Sequence, residues 1–352
     1  MISLIKPSRL LHFFEEELSK SKTNFLVYEY TGDDFVFPTE LFLPYIKLET
    51  KNFAVIDDCF EGLLTQDDIV EIESIAGLDD FIVISSNAKL KHPKCYYLNI
   101  HLYTDYYDSI EVSFTQEFIN TDLRNKKYIC LNRQERLHRF KIVEYLLNND
   151  LVKHGFVSCP PVSDFINIPK KRYLDQDLKK FSFNNLKLDL PLVIDLDTTV
   201  INHPAIAHNL PKLDIHHYDS YFSIITERDF YNSNYLGYTE KILKAILFCQ
   251  PFIVVGLPHT LQLLKEQGFK TFENFIDESY DSIEDNDLRM KTVCEEIQRL
   301  NNMSYTDLDL WYHSMEDIIE HNFDTYKSIC THENFKTHID KYTSIMLGDN
   351  NG

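Results

Sequence analysis

The residues best suited to chemistry lie in one stretch, between residues 221 and 281. Glu227 follows a short apolar run, and Thr239, Glu240 and Lys241 open an amphipathic helical pattern. A second apolar run follows over residues 251–255, so the order is strand, polar turn, helix and strand, which indicates a β-α-β unit. In such sheets ligands bind where strand ends meet helix starts. We therefore expect these four polar residues to lie together at a ligand site.

A second polar cluster opens the next β-α pattern upstream. The apolar run over residues 128–131 predicts a strand, and residues 140–147 predict the body of a helix. The turn and helix entry between them carry five candidate binding residues: Asn132, Arg133, Arg136, His138 and Arg139. Positive charge is concentrated here in a chain that is otherwise acidic.

The two stretches together resemble the nucleotide-sugar domain of GT-B glycosyltransferases. The chain is similar to the fucosyltransferase and exostosin-like groups and to uncharacterised viral and bacterial relatives. The ordered motifs that carry the resemblance are the strand 222–225, Glu227, the helix start 238–241, the strand 251–255, the segment GFKTFENFIDESYD (268–281) and YICLNRQERLHR (128–139). The resemblance covers roughly residues 127–300.

This resemblance implies an α/β fold with two Rossmann-like domains that face a cleft. It also implies a glycosyltransferase that moves a sugar from a nucleotide-sugar donor to the hydroxyl of a glycan or another acceptor. Transfer with inversion is implied by the similarity to fucosyltransferases alone. No cofactor is expected, because the nucleotide sugar is itself the donor substrate.

The residue types agree with a nucleoside diphosphate sugar. Such a donor needs a carboxylate for the ribose hydroxyls, for which Glu240 is the candidate, and cations for the diphosphate. Lys241, Arg133 and Arg139 are the candidate cations, and the helix start after Thr239 adds amide donors and a favourable dipole. Cations at the leaving group stabilise the transition state, so a metal is not required. Asn132, Arg136, His138 and Glu227 complete the predicted donor set.

The predicted catalytic base is one of two adjacent carboxylates in the first domain. Asp57 and Asp58 follow the apolar run 53–56, where their strand would end at the cleft. An acidic pair can hold one carboxylate at a raised pKa, as a base requires. A loop cap is the alternative interpretation of the same two residues.

Each predicted donor residue also has a structural interpretation. Glu240 and Lys241 are typical of an acidic first helical turn followed by a surface lysine, and residues 132–139 of a solvated helix face. His138 could serve packing alone, and Glu227 could pair with Arg228.

Two other functions compete with the transferase. The sequence VIDLDTTV (193–200) imitates the nucleophile loop of haloacid-dehalogenase-like phosphatases, in which Asp195 would attack phosphorus and Asp197 would act as acid and base, with Mg²⁺ held by Asp277 and Asp281. However, Thr198 stands where such loops favour glycine. The same acidic sequence resembles the metal motif of GT-A transferases, although its setting differs. A non-catalytic binding protein on a degenerate transferase fold is the third possibility.

The composition of the chain excludes or disfavours several other classes of protein. The chain has 352 residues, only 9 glycines and no glycine-rich phosphate loop, which disfavours dehydrogenases and P-loop NTPases. A formal charge of −20 disfavours a nucleic-acid binder, although a modified-DNA acceptor stays open. The 7 cysteines show no CxxC pair and predict reduced thiols. Without a signal peptide or a long apolar run, we expect a cytoplasmic protein with no membrane span.

The predicted elements divide the chain into three parts. An α/β domain on the acceptor side covers residues 1–123, and the nucleotide-sugar domain covers residues 124–302. A helical segment over residues 303–352 is expected to pack back on the first domain.

Overall fold

The first half of the chain forms a parallel sheet. A computed structural model describes residues 1–6, 8, 10–30, 37–59, 62–103, 123–161, 192, 214–231 and 234–348. Among these, the sheet contains strands β1 (Ile2–Lys6), β2 (Asn24–Glu29), β3 (Asn52–Asp58), β4 (Asp80–Ser85) and β5 (Cys95–Tyr97) in the order β1-β2-β3-β4-β5. All neighbours are parallel. Such a sheet is covered on both faces, which explains the uninterrupted apolar runs of its central strands.

Helices α1 (Leu11–Ser19) and α2 (Gln66–Glu73) cover opposite faces of this sheet. Phe14 of α1 packs with Phe25 of β2, whereas Ile69 of α2 packs in a second core with Leu26. The strand order advances in one direction past both helices, so the two crossovers have opposite hands. One of them therefore departs from the right-handed rule for parallel strands.

The second half of the chain forms another parallel sheet. Its described strands are β6 (Lys126–Leu131), β7 (Gly155–Ser158), β8 (Ser220–Thr226) and β9 (Phe252–Val255), in the order β7-β6-β8-β9. The chain moves from β6 to one side and from β8 to the other. The strand order thus reverses between β6 and β8, which creates a topological switch point, the usual ligand position in open α/β sheets.

Helices follow and alternate with the strands of the second sheet, and the last of them ends at Leu347. They are α3 (Leu137–Asn148), α4 (Asp214–Tyr218), α5 (Glu240–Leu247), α6 (Thr260–Glu266), α7 (Asn286–Asn302), α8 (Tyr305–His313), α9 (Glu316–Ile329) and α10 (His332–Leu347). Trp311 of α8 contacts Phe222 of β8 edge-on, with 6.1 Å between ring centroids. Helix α10 instead returns to the first sheet, where Phe335, Ile339 and Tyr342 join the core beneath α1.

The α/β class is confirmed, with several local differences from the sequence pattern. Strand β1 was not predicted, and the helical run from residue 305 breaks at Ser314–Met315 as well as before His332. Residues 152–154 form a short 3-10 helix before β7. The apolar residues of the stretch 192–196 also indicate a strand, of which only Leu192, which pairs with Cys159, is within the described residues. The phosphatase residues Asp195 and Asp197 lie outside them.

Within the described part of the chain, no helix combines the length and the apolar character that crossing a membrane requires.

Candidate functional site

The carboxyl ends of β6 and β8 are joined by side-chain hydrogen bonds. Thr226 Oγ1, at the end of β8, donates to Asn132 Oδ1, just after β6, at 2.6 Å. Asn132 Nδ2 donates in turn to the carbonyl of Ser158 at the end of β7, at 3.1 Å. Because Asn132 is buried, these bonds hold the ends of the three strands β6, β7 and β8 together beneath the surface of the switch point.

His138 and Arg139, in the first turn of α3, fasten this helix to the end of β8. His138 Nε2 donates to the Glu227 carbonyl at 2.8 Å, and Arg139 Nη2 donates to the carbonyls of Thr226 and Glu227 at 3.3 Å each. Burial and the neighbouring Arg139 lower the pKa of His138 well below its usual value, so its imidazole is neutral. Both side chains thus have a structural task here, and their predicted contact with a donor stays a prediction.

Glu227 caps the N-terminus of α5. Its Oε1 accepts a hydrogen bond from the Thr239 amide at 3.1 Å, and its Oε2 accepts one from Thr239 Oγ1 at 2.7 Å. Glu227 as a whole is 3% exposed, so its carboxylate is buried. Charge at this position stabilises the helix through its dipole. Glu227 therefore sets where Thr239, Glu240 and Lys241 stand, whether or not it contacts a ligand.

Glu240 lies between two cationic or potentially cationic groups. Its Oε1 accepts a hydrogen bond from Lys241 Nζ at 3.2 Å, and its Oε2 lies 3.7 Å from His101 Nδ1. Burial by itself would raise the pKa of Glu240, but Lys241 first, with His101 and Lys244, holds that pKa well below its usual range. Glu240 and Lys241 keep 30% and 27% of their side chains exposed, so both reach the surface.

The other predicted cations stand at the entry to α3. Arg133 is exposed, and Arg136 is 8% exposed, with its Nη2 donating to Gln134 at 2.9 Å. The charged residues of the turns and helix starts at the switch point are Arg133, Glu135, Arg136, Arg139, Glu227, Arg228, Asp229, Glu240, Lys241 and Lys244. Cations outnumber carboxylates in this set, in a chain of formal charge −20. The switch point therefore favours an anionic ligand.

Asp57 and Asp58 follow one another at the end of β3, so their side chains point to opposite faces of the first sheet. Both residues are 1% exposed. They do not form the shared acidic pair on which the predicted base depends.

Each of the two carboxylates accepts hydrogen bonds from a backbone amide of the loop after β3 and from a serine of a neighbouring loop or strand end. Asp57 Oδ2 accepts from Ser8 Oγ at 2.7 Å on the α1 side. On the α2 side, Asp58 Oδ1 accepts from the Leu63 amide at 2.8 Å, and Oδ2 accepts from Ser85 Oγ at 2.6 Å. These contacts match the loop-cap interpretation of both residues.

Residues 234–239, here called the cross-sheet segment, connect the loops of the first sheet to the N-terminus of α5. Asn87, after β4, donates from Nδ2 to the Asn234 carbonyl at 2.9 Å and accepts from the Leu236 amide at 3.1 Å. Asn99, after β5, donates to the Tyr238 carbonyl at 3.3 Å. The carboxyl ends of both sheets thus contribute side chains around Thr239.

Sequence reasoning missed these contributions from the first sheet. Asn87 and Asn99 were detectable, because each is a polar residue within three positions of the end of an apolar strand pattern. His101 had no local signal. His101 is a candidate only because folding brings it close to Glu240, which lies 139 positions away in the chain.

The described residues contain no group of three or more histidine, cysteine, aspartate or glutamate side chains that could hold a metal ion. Asp281, the proposed phosphatase partner of Asp277, instead caps α6: its two oxygens accept from the amides of Leu261 and Gln262, at 2.9 and 3.1 Å. Asp195 and Asp197 lie outside the described residues.

Comparison with known proteins adds no family to this description. No protein-family model matches the chain, and no curated protein shows significant sequence similarity to it. We therefore infer a function from the geometry and charge of the switch point, together with the motif resemblance of residues 127–300.

Proposed function

We propose that this chain is a glycosyltransferase that binds a nucleotide-sugar donor at the carboxyl edge of its second sheet. The acceptor is a hydroxyl compound, and the transfer proceeds without a metal and with inversion. The donor diphosphate binds between the entry to α3 and the N-terminus of α5. Arg133, Arg136 and Lys241 supply the positive charge there.

One observation carries the proposal. The strand order reverses between β6 and β8, and the starts of α3 and α5, the helices that follow these two strands, carry the basic residues Arg136 and Lys241. A reversal of this kind opens a crevice between the two connecting turns. A helix N-terminus with a cation beside it is a favourable place for a phosphate.

The charges at this position suit the leaving group of a glycosyl transfer. As the bond from the sugar to the diphosphate breaks, negative charge grows on the phosphate oxygens. Lys241 stabilises this charge more strongly than it stabilises the intact donor, so it lowers the barrier to transfer. Glu240 is half-buried beside it and is the predicted partner of the ribose hydroxyls.

The proposal is tested by nucleotide binding to two variants, Glu240→Ala and Lys241→Ala. A thermal-shift screen with UDP, GDP, CDP and ADP, with and without Mg²⁺, identifies the donor nucleotide, because a ligand that binds the native state raises the melting temperature. We expect one nucleotide to bind without Mg²⁺. Loss of a charged contact weakens binding by roughly 10- to 100-fold, which calorimetry would detect in both variants.

Lys291 and Glu295 provide the matched control. They form a similar ion pair at 3.7 Å on the exposed side of α7, with 68% and 64% of their side chains exposed. Lys291→Ala and Glu295→Ala should bind the nucleotide like the wild type. Unchanged nucleotide affinity in Glu240→Ala and Lys241→Ala would refute this donor site.

A second function, nucleotide binding without transfer, is favoured by the burial and hydrogen bonding of the two carboxylates that the sequence predicted as bases. The carboxylates of Asp57 and Asp58 are buried, and both accept hydrogen bonds from neighbouring serines and backbone amides. Release of nucleoside diphosphate from the donor sugar separates the two functions, since a binding protein would hold the donor intact.

A further inference from the structure

His101 is brought to the candidate donor site from the opposite sheet. It lies in a 3-10 helix, Ile100–Tyr103, directly after β5, and its Nδ1 is 3.7 Å from Glu240 Oε2 at the start of α5. Its side chain is 18% exposed, so part of the ring reaches solvent. The two interacting groups thus belong to the carboxyl edges of two different sheets.

Several contacts hold His101 in this position. Ile100 and Leu102, on either side, are 5% and 6% exposed and anchor the short helix in the apolar cores. Asn99 accepts a hydrogen bond from the His101 amide at 3.1 Å and donates one to the Tyr238 carbonyl at 3.3 Å. The same side chain therefore ties the backbone of His101 to the segment that leads into Glu240.

On this basis we propose that His101 is the catalytic base of the site and that Glu240 is its positioning residue. The inference rests on the proposed glycosyltransferase function. His101 takes the role of base from Asp57 and Asp58, because the carboxylates of those two residues lie on opposite faces of the first sheet. It also assigns Glu240 Oε2 to the imidazole, which leaves Oε1 for Lys241 and the donor.

In the proposed transfer step, the acceptor hydroxyl gives its proton to Nε2 of His101, and its oxygen forms a bond to the anomeric carbon of the donor. The bond from that carbon to the diphosphate oxygen breaks, and the electron pair leaves with the nucleoside diphosphate. Glu240 stabilises the imidazolium that forms, as a carboxylate behind a catalytic histidine does.

The charges around His101 keep it able to accept a proton. Burial first lowers its pKa from the usual value; Lys241 and Arg228 lower it further, and Glu240 and Glu227 raise it. The neutral imidazole is therefore the resting form at neutral pH. The rate should fall at acidic pH, where His101 becomes protonated before it can act.

The test compares His101→Asn with the wild type in two measurements. The first is calorimetric affinity for the nucleotide found in the thermal-shift screen. The second is the release of nucleoside diphosphate from the corresponding nucleotide sugar, with water as the acceptor. We expect unchanged nucleotide affinity and a rate about 100- to 10,000-fold lower, the range for loss of a general base.

His92→Asn is the matched control. His92 forms a comparable pair with Glu73, at 3.2 Å, on the α2 side of the first sheet, and its side chain is also 18% exposed. The rate at which His92→Asn hydrolyses the donor should equal that of the wild type. Glu240→Gln tests the role of Glu240 separately from its contribution to stability. The acidic limb of the pH–rate profile should shift to lower pH, because the carboxylate that stabilises the imidazolium is gone.

The outcomes separate the inference from the function on which it rests. A wild-type rate in His101→Asn would overturn the inference, and so would nucleotide binding by the wild type without any turnover; both would leave the donor site standing. Absence of nucleotide binding in the wild type would overturn the proposed function itself.

Discussion

At the scale of single residues, the polar side chains at the switch point divide by what they contact. Asn132, His138 and Arg139 are buried and bond the backbone or side chains of neighbouring strand ends. Glu240 and Lys241 are only half-buried and reach the surface. A residue type suited to phosphate or ribose chemistry is thus equally suited to holding loops in place, since the same donors and acceptors serve both.

Asp58 provides a prediction at this scale, because burial raises its pKa to about 7 against the opposing effects of Ser85, the Leu63 and Leu64 amides and Arg228. A carboxyl whose pKa is raised on folding binds a proton in the native state before it does so when unfolded. The native state is therefore most favoured at low pH, and this contribution is lost as the pH rises from about 4 to about 7.

The measurement is the free energy of unfolding of the wild type and of Asp58→Asn, obtained in urea at pH 5 and at pH 8. We expect the wild type to exceed the variant by more at pH 5 than at pH 8, and the two differences to be separated by at least about 1 kcal/mol, the value of roughly one pKa unit. Equal differences at the two pH values would contradict the assignment.

At the scale of elements, the cross-sheet segment matters most because it ends at the N-terminus of α5. Tyr235 packs beneath the Arg228 guanidinium, 4.3 Å from the ring centroid, and closely against Gly62 of the first sheet. A Cβ on Gly62 would lie 2.6 Å from both Ser86 Oγ and Tyr235 Cε2. Only glycine allows this approach of the two elements.

Gly62→Ala is therefore expected to displace the cross-sheet segment. Gly62 has a φ of +57°, which costs a side chain roughly 1–2 kcal/mol, and the clash adds about 1–3 kcal/mol. Gly348→Ala is the matched control, since Gly348 has a φ of +79° with no atom near its Cβ position. Urea unfolding should show the larger loss for Gly62→Ala, and equal losses would show that the segment yields without cost.

At the scale of the whole molecule, the C-terminal helices are shared between the two sheets. Ile319 of α9 lies in the core of the second sheet, whereas Ile339 of α10 lies in a core of the first. Both side chains are almost fully buried, at 3% and 6% exposure. The chain thus closes on its own first sheet after passing along the second.

These two isoleucines test how far the sheets unfold separately. Ile319→Ala and Ile339→Ala should each lose about 2–5 kcal/mol, the usual cost of such a cavity. In native-state hydrogen exchange, we expect Ile339→Ala to reduce protection in β2 and β3 and Ile319→Ala to reduce it in β8 and β9. Reduced protection throughout the chain in both variants would show a single cooperative unit instead.

Local sequence patterns were enough to predict most of the strands and helices and the sheet edge that carries the polar residues. The uninterrupted apolar runs of β3, β4 and β8 report burial on both faces, and the capping box of Thr65 and Asp68 marks the start of α2. Asn132 and Glu227 follow strand patterns and Lys241 opens a helical pattern, so their position at the carboxyl edge could be predicted. These are local signals, readable within about ten residues.

Which of these residues stay exposed, and which partners they contact, depends on the tertiary structure. Arg139 and Glu227 are drawn into backbone hydrogen bonds because the strand order brings β6 and β8 side by side. His101 reaches Glu240 because the loops of one sheet pack on the cross-sheet segment of the other. Contacts between residues more than a hundred positions apart depend on how the elements pack, and no local pattern records that packing.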